Sequence, residues 1–221
     1  MRLAPFLRAV LLPLPGTFAA ESAPNLAPIK QWIERQNAFR SVSADFVQTR
    51  SLRTLKNPLQ SPGHLWFVAP NTFRWELGKP AKTIVIRKGD TMWIVTPAKR
   101  RAERQNVNAG GKGGMQSLAM LSFPLADSFA DFQRKFEVLS LSVEGTRCRC
   151  ELLPRDSSSR RMMRAMTLTF DTRTAHVISL GFAARDGSSL ENRFSNIQVN
   201  PPIDRNRFDL DLEGYEMVEA R

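Results

Sequence analysis

Between residues 63 and 95 the chain carries a succession of short aromatic runs that a sheet can house: Gly63-His64-Leu65-Trp66-Phe67, Pro70-Asn71-Thr72-Phe73-Arg74-Trp75, Ile84-Val85-Ile86 and Met92-Trp93-Ile94-Val95. Three of the four Trp residues lie here, the exception being Trp32. Successive side chains of a strand point to opposite faces, so an antiparallel sheet with one wet face alternates apolar and polar residues. Leu65 to Val68, Ile84 to Ile86 and Met92 to Val95 are apolar at both parities. Both faces of this sheet therefore need cover. One face can be the ordinary core; the other calls for helices, a partner or a bound apolar ligand, because large bare apolar patches are unusual on soluble monomers. The pattern points to a protein that binds something greasy.

The flanking sequence supplies the rest of a β-rich domain. Residues 25–37 read as an amphipathic helix with Leu26, Ile29, Trp32 and Ile33 on one side. Val42, Ala44 and Phe46 alternate with Ser43 and Asp45 as a half-buried strand, and turns at Asn57-Pro58, Ser61-Pro62-Gly63, Pro70-Asn71, Gly78-Lys79-Pro80 and Lys88-Gly89-Asp90 give an antiparallel meander. After a polar, basic stretch comes the glycine cluster 109–114. It fails the phosphate-binding loop pattern, which needs glycine where the chain has Asn106 and a hydroxyl residue where it has Gly113. It reads as a flexible hinge before a short apolar helical segment in which Met115, Leu118 and Leu121 face one way. Residues 123–137, with Phe129, Phe132 and Phe136, suggest a second helix, and Arg155 to Arg161 a solvated turn. Met166, Leu168 and Phe170 lead into Asp171-Thr172-Arg173-Thr174, with His176, Ile178, Leu180 and Phe182 leading out, as a hairpin.

The length of 221 residues and 42% apolar composition suit one domain with a sizeable core. Arg2 and Arg8, the apolar run Ala9 to Leu14 and the small residues at Thr17-Phe18-Ala19 read as a signal peptide over residues 1–19, too short to span a bilayer, ahead of a single domain over 20–221. The expected compartment is the periplasm. Net charge is +11, or +9 without Arg2 and Arg8, which favours anionic partners such as phospholipid headgroups; export argues against nucleic acid. Cys148 and Cys150 would sit on one strand face about 6.5 Å apart, too far for an unstrained disulfide, and read as two small apolar residues. His64 and His176 show no metal-ligand spacing, and no nucleophile elbow, zinc-protease helix or dinucleotide fingerprint occurs. No cofactor, no metal and no enzymatic activity are expected.

Asp45-Phe46-Val47-Gln48, Gly63-x-Leu65-Trp66, Pro70-Asn71-x-Phe73-Arg74-Trp75, Lys79-Pro80 and Gly89-Asp90 before Met92-Trp93 resemble the periplasmic outer-membrane lipoprotein carriers of the LolA type. Phe194-Ser195-Asn196-Ile197, Asn200, Asp204 and Phe208 look like that family's closing strands, so the resemblance covers roughly residues 26 to 212. It implies a mainly β fold with some α: an incomplete, curved antiparallel half-barrel covered by helices around an apolar cavity. It implies a monomeric carrier of lipidated proteins or acylated lipids, loaded by an inner-membrane transporter, unloaded to an outer-membrane receptor and touching membranes transiently. The alternative is a periplasmic regulatory domain of the same fold that senses lipids or lipoproteins. The residues expected to meet an acyl chain are Trp32, Phe46, Trp66, Phe73, Trp75, Ile84, Ile86, Trp93, Met115, Leu118 and Leu121. One departure concerns loading. The family commonly has Arg just before the Pro-Asn pair, implicated in lid closure, and here that residue is Ala69. Arg74 has the parity of Thr72 and Glu76 and reads as a solvent-facing strand residue.

Overall fold

The computed structural model describes residues 24–107 and 126–219. The segments 1–23, 108–125 and 220–221 therefore lie outside the description, and with them the expected signal peptide, the glycine hinge and Met115, Leu118 and Leu121. The elements are α1 (Ala27–Asn37), β1 (Ser41–Ser51), β2 (Leu59–Val68), β3 (Thr72–Leu77), β4 (Thr83–Lys88), β5 (Thr91–Thr96) and β6 (Arg101–Asn106), then α2 (Phe129–Lys135), β7 (Phe136–Glu144), β8 (Arg147–Pro154), α3 (Ser157–Met162), β9 (Met163–Asp171), β10 (Val177–Ala184), β11 (Ser189–Val199) and β12 (Glu216–Glu219). The twelve described strands make one sheet in the order β12-β6-β5-β4-β3-β2-β1-β11-β10-β9-β8-β7. Among them only β12, parallel to β6, departs from antiparallel pairing. The sheet does not close on itself among the described residues, so it is the incomplete barrel that the family resemblance implied.

Two meanders meet at β1, which pairs with β2 on one side and β11 on the other. The β1–β11 ladder slips between Ser43 and Asp45, where Asn196 takes a left-handed φ of 50°. Such a bulge sharpens local twist and helps the sheet curve. On the concave side of the β8–β11 half, α1 inserts Ile29, Trp32 and Ile33 and α2 inserts Phe132 against Cys148, Cys150, Leu152, Leu168, Phe170 and Phe182. Trp32 stacks on Phe170 at 5.0 Å between centroids and donates its indole N–H to the Ala175 carbonyl at 3.0 Å. The same carbonyl accepts from Gln36, and Arg35 donates to the carbonyls of Thr172 and Arg173 at 2.7 and 2.8 Å. Helix α1 is thus tied to the β9–β10 turn by three side chains. The two buried cysteines share the concave face, and burial pushes the Cys148 thiol up to about 11 and raises that of Cys150 as well, which makes both poor nucleophiles.

Two sequence expectations change. Residues 157–162 form a helical turn rather than a plain solvated turn, because Asp156 caps it, accepting from the Ser159 N–H at 2.8 Å. The helix expected over 123–137 is helical in the described residues only from Phe129 to Lys135; Phe136 already pairs with Pro154, so sheet pairing overrides the helical spacing.

Asp171 organises the turn that receives α1. Its Oδ1 accepts from the N–H groups of Arg173 and Thr174, and its Oδ2 accepts from the Thr146 hydroxyl at 2.6 Å. These bonds, the Thr146 hydroxyl first, hold the carboxyl at about 2, below its ordinary 3.8. A carboxyl depressed by folding adds stability above its unfolded pKa, and this is lost as pH falls through the folded value. Asp171→Ala is therefore expected to be less stable than wild type at neutral pH, with the gap closing between about pH 4 and pH 2 in denaturant titrations. A gap that stays constant into acid would rule out the carboxylate charge as the cause.

Candidate functional site

The second apolar cluster lies on the concave side of β1–β5 and is built from Val42, Phe46, Leu65, Phe67, Phe73, Trp75, Val85 and Met92. Register explains their convergence: Val42 faces Phe67, Phe67 faces Phe73, Leu65 faces Trp75 and Trp75 faces Val85 across successive ladders. Phe46 is the centre, its ring 3.9 Å from that of Trp75 and 6.1 Å from that of Phe194. Phe39 and Phe194 touch this cluster and the helix-covered one, so the two are continuous along the concave surface. Between them lies a small apolar cavity of about 20 Å³ lined by Phe39, Val42, Ala44, Leu65, Phe194 and Ile197, with Gln36, His176 and Val177 at its margin. That is room for about one water molecule, far below the ~300–1,000 Å³ of small-molecule pockets.

The buried polar side chains on this face among the described residues are Gln48, Asn192 and Gln105, the last opposite Met92 and donating to Glu103 at 2.8 Å. Gln48 and Asn192 stand opposite each other, and the Gln48 amide donates to Asn192 Oδ1 at 3.0 Å. Trp75 Nε1 and Asn192 Nδ2 are buried and have no hydrogen-bond partner among the described residues.

The expected acyl-contact residues divide between two faces. Phe46, Phe73 and Trp75 converge in the concave cluster, and Trp32 lies in the core under α1. Trp66, Ile84, Ile86 and Trp93 have the opposite parity and face outward, in cross-strand rows such as Trp66, Arg74, Ile86, Trp93 and Arg104. That second face finds its cover within the chain. A 3-10 turn, Arg205–Phe208, packs on β3 and β4 with Phe208 buried. The Arg207 guanidinium lies 4.4 Å from the Trp66 ring centre, and that of Arg104 lies 5.7 Å from Trp93. Arg74 is on the outer face as its parity predicts, yet it is engaged there: it donates to Glu76 at 2.5 Å and to the Arg207 carbonyl at 2.8 Å, while Lys88 bonds Asp209 at 2.6 Å.

A sequence profile described as "Outer membrane lipoprotein carrier protein LolA" matches residues 37–211. The chain belongs to this family. A carrier protein from Coxiella burnetii (strain CbuK_Q154) is 25% identical over 182 residues, 82% of each chain. One from Edwardsiella ictaluri is 33% identical over 63 residues, 28% of this chain and 31% of that one. Among solved structures, an uncharacterized conserved protein from Thermus thermophilus superposes with a TM-score of 0.53 at 10% identity, covering 86% of this chain and 98% of its own, a likeness of fold.

Within this LolA-family chain, Ala69, which precedes the Pro70-Asn71 pair, is exposed immediately after β2. No helix among the described residues is long and apolar enough to cross a membrane.

The outer face also holds a polar trio that sequence reading missed. His64 Nδ1 donates to Asp45 at 2.7 Å, its Nε2 lies 2.8 Å from the Ser43 hydroxyl, and Asn196 donates to the other Asp45 oxygen at 2.8 Å. An ionised Asp45 can only accept, which makes Nδ1 a donor; in the neutral ring Nε2 accepts from Ser43. The Asn196 amide, then His64, holds the Asp45 carboxyl below its usual value. Hydrolases use the same order of groups, but with N–H donors converging beside the nucleophile. Ser43 instead sits inside the sheet, paired with Trp66 and Gln198, and the trio spans the β1–β11 bulge as a clamp. The only sequence sign was the i, i+2 spacing of Ser43 and Asp45.

Proposed function

We propose that this chain is a periplasmic carrier that takes acyl chains, foremost those of lipoproteins, onto the concave aromatic face of β1–β5 and moves them from the inner to the outer membrane. The observation that supports it best is the division of the concave side: one half is filled by α1 and α2, and the other is a buried aromatic cluster of strand residues, Phe46, Phe67, Phe73 and Trp75, with no residue of the described helices in it, beside a small apolar cavity. The physical need is plain. Burying a methylene is worth ~0.8 kcal/mol, so a sixteen-carbon chain in water costs on the order of 12 kcal/mol and does not cross an aqueous compartment unaided. A carrier has to recover much of that and still release its load, which suits aromatic surface with few polar anchors. The names of its relatives support lipoproteins as the cargo. An export signal over residues 1–19, an inner-membrane transporter, an outer-membrane receptor and a monomer that touches membranes transiently complete the reading. The segment with Met115, Leu118 and Leu121 belongs to it as a further acyl contact.

The test is purification from the periplasm, lipid extraction and mass spectrometry, together with titration of the full chain by a long-chain acyl probe. Micromolar binding with a blue shift of tryptophan emission is expected, carried by Trp75 as the Trp on the concave β1–β5 face. Protein-attached acyl chains in the extract support lipoprotein carriage. Free lipids alone would change the cargo, and no lipid with no probe binding would overturn acyl carriage.

A further inference from the structure

We propose that the cargo brings a hydrogen-bond acceptor onto the concave face, an ester or amide carbonyl next to its acyl chain, and that Trp75 Nε1 receives it with Asn192 Nδ2 as a second donor. This rests on the acyl-carriage reading and names the chemistry that the same face selects.

Buried donors without partners are rare in native proteins, and each calls for an explanation. Trp75 is 5% exposed, and its indole nitrogen is fully buried without a partner among the described residues. An indole N–H can only donate, so whatever meets it has to be an acceptor. The chain satisfies such a group where packing alone is at stake: Trp32, equally buried, has its N–H on the Ala175 carbonyl. Trp75 is different because it sits in the candidate site. Its ring lies against Phe46 and 6.2 Å from Phe194, edge on. A lone water among these rings would find too few polar partners to be held.

Asn192 extends the pattern along the same strands. Phe46 and Phe194 face each other across β1 and β11, and Gln48 and Asn192 are the next concave-facing pair, about 7 Å further on. The Gln48 amide occupies the Asn192 oxygen, so the free capacity of Asn192 is its NH₂. Two donors thus flank one aromatic pair. A bare hydrocarbon chain offers them nothing. A lipid whose chains are joined through ester or amide carbonyls offers acceptors at the junction of chain and head, and would seat its chains on the aromatic cluster with those carbonyls toward Trp75 and Asn192.

The experiment compares a diacyl glycerolipid with its diether analogue of equal chain length, each displacing a fluorescent acyl probe from the full chain. Wild type is expected to bind the ester lipid ~10-fold tighter than the ether lipid. Trp75→Phe should lower ester-lipid affinity more than ether-lipid affinity, so that the preference falls whatever the smaller ring costs both lipids, and a wild-type-like cooperative melting transition shows that the variant is folded. The carbonyl stretch of a ¹³C-labelled ester bound to wild type should fall below its frequency in dry hydrocarbon; this reading decides the matter if Trp75→Phe does not fold. Equal affinity for the two lipids, or a preference that survives both Trp75→Phe and Asn192→Leu, overturns the donor assignment while carriage stands. If the acyl probe itself does not bind, carriage fails and this proposal with it; a bound probe that neither lipid displaces overturns the donor assignment alone.

Discussion

Gly63→Ala is expected to lower the melting temperature by about 6–12 °C, the effect of ~3 kcal/mol in a domain of this size. Gly63 stands opposite Phe46 on β1 and Leu77 on β3, and the Phe46 ring lies over it. A methyl group there would overlap that ring and come within 2.5 Å of the Glu76 carbonyl oxygen. Neither neighbour can give way cheaply. The ring is fully buried against Trp75, and the carbonyl belongs to a strand paired on both sides. Gly181 on β10 is the control, because a methyl group there meets nothing closer than 3.8 Å. Gly181→Ala should stay within about 0.5 kcal/mol of wild type. Calorimetry on the two variants separates close packing from a general cost of replacing strand glycine. A Gly63→Ala protein that melts within about 2 °C of wild type would mean that the ring is not seated on the glycine. The displaced ring should also weaken acyl-probe binding, since Phe46 is the centre of the concave cluster.

Strand periodicity made much of this fold legible before any coordinates. The aromatic meander, the hairpin around Asp171, the shared face of Cys148 and Cys150 and the helix with Trp32 all follow from spacing of two or of 3.6. Parity also showed that both faces of the meander are apolar. It could not show what covers the second one, because Arg207 and Phe208 reach β2–β4 from more than a hundred residues away. The candidate site was legible in part for the same reason. Alternation alone separates Leu65 from Trp66 and Trp75 from Arg74, but the pairing register decides which strands' parities coincide. That register groups Phe46, Phe73 and Trp75 and sends Trp66, Ile86 and Trp93 outward. The Ser43, His64 and Asp45 clamp was out of reach because it depends on a bulge whose Asn196 carries no local sequence mark. The unpartnered Trp75 N–H was out of reach as well, since satisfaction of a donor is a property of three-dimensional neighbours.

Trp32 separates stability from binding, and Trp32→Ala is expected to cost about 3–5 kcal/mol. The side chain is 4% exposed, stacked on Phe170, with its N–H on Ala175. Truncation removes the largest side chain that α1 buries and leaves a void that the sheet beneath, paired on both sides, cannot collapse to fill. Trp32→Phe should cost much less, about 1 kcal/mol for the lost hydrogen bond, because Gln36 still donates to the Ala175 carbonyl. Denaturant unfolding of the two variants reads this difference directly; equal losses would place the value of Trp32 in its N–H rather than its ring. The same proteins decide whether the core under α1 is also a wall for cargo. If the helix-covered cluster serves only the fold, acyl-probe affinity per folded molecule stays at the wild-type value in both variants. A tenfold loss of affinity in Trp32→Ala, with affinity kept in Trp32→Phe, would make the aromatic ring of α1 part of the acyl surface and extend the carrier's hollow across both halves of the sheet.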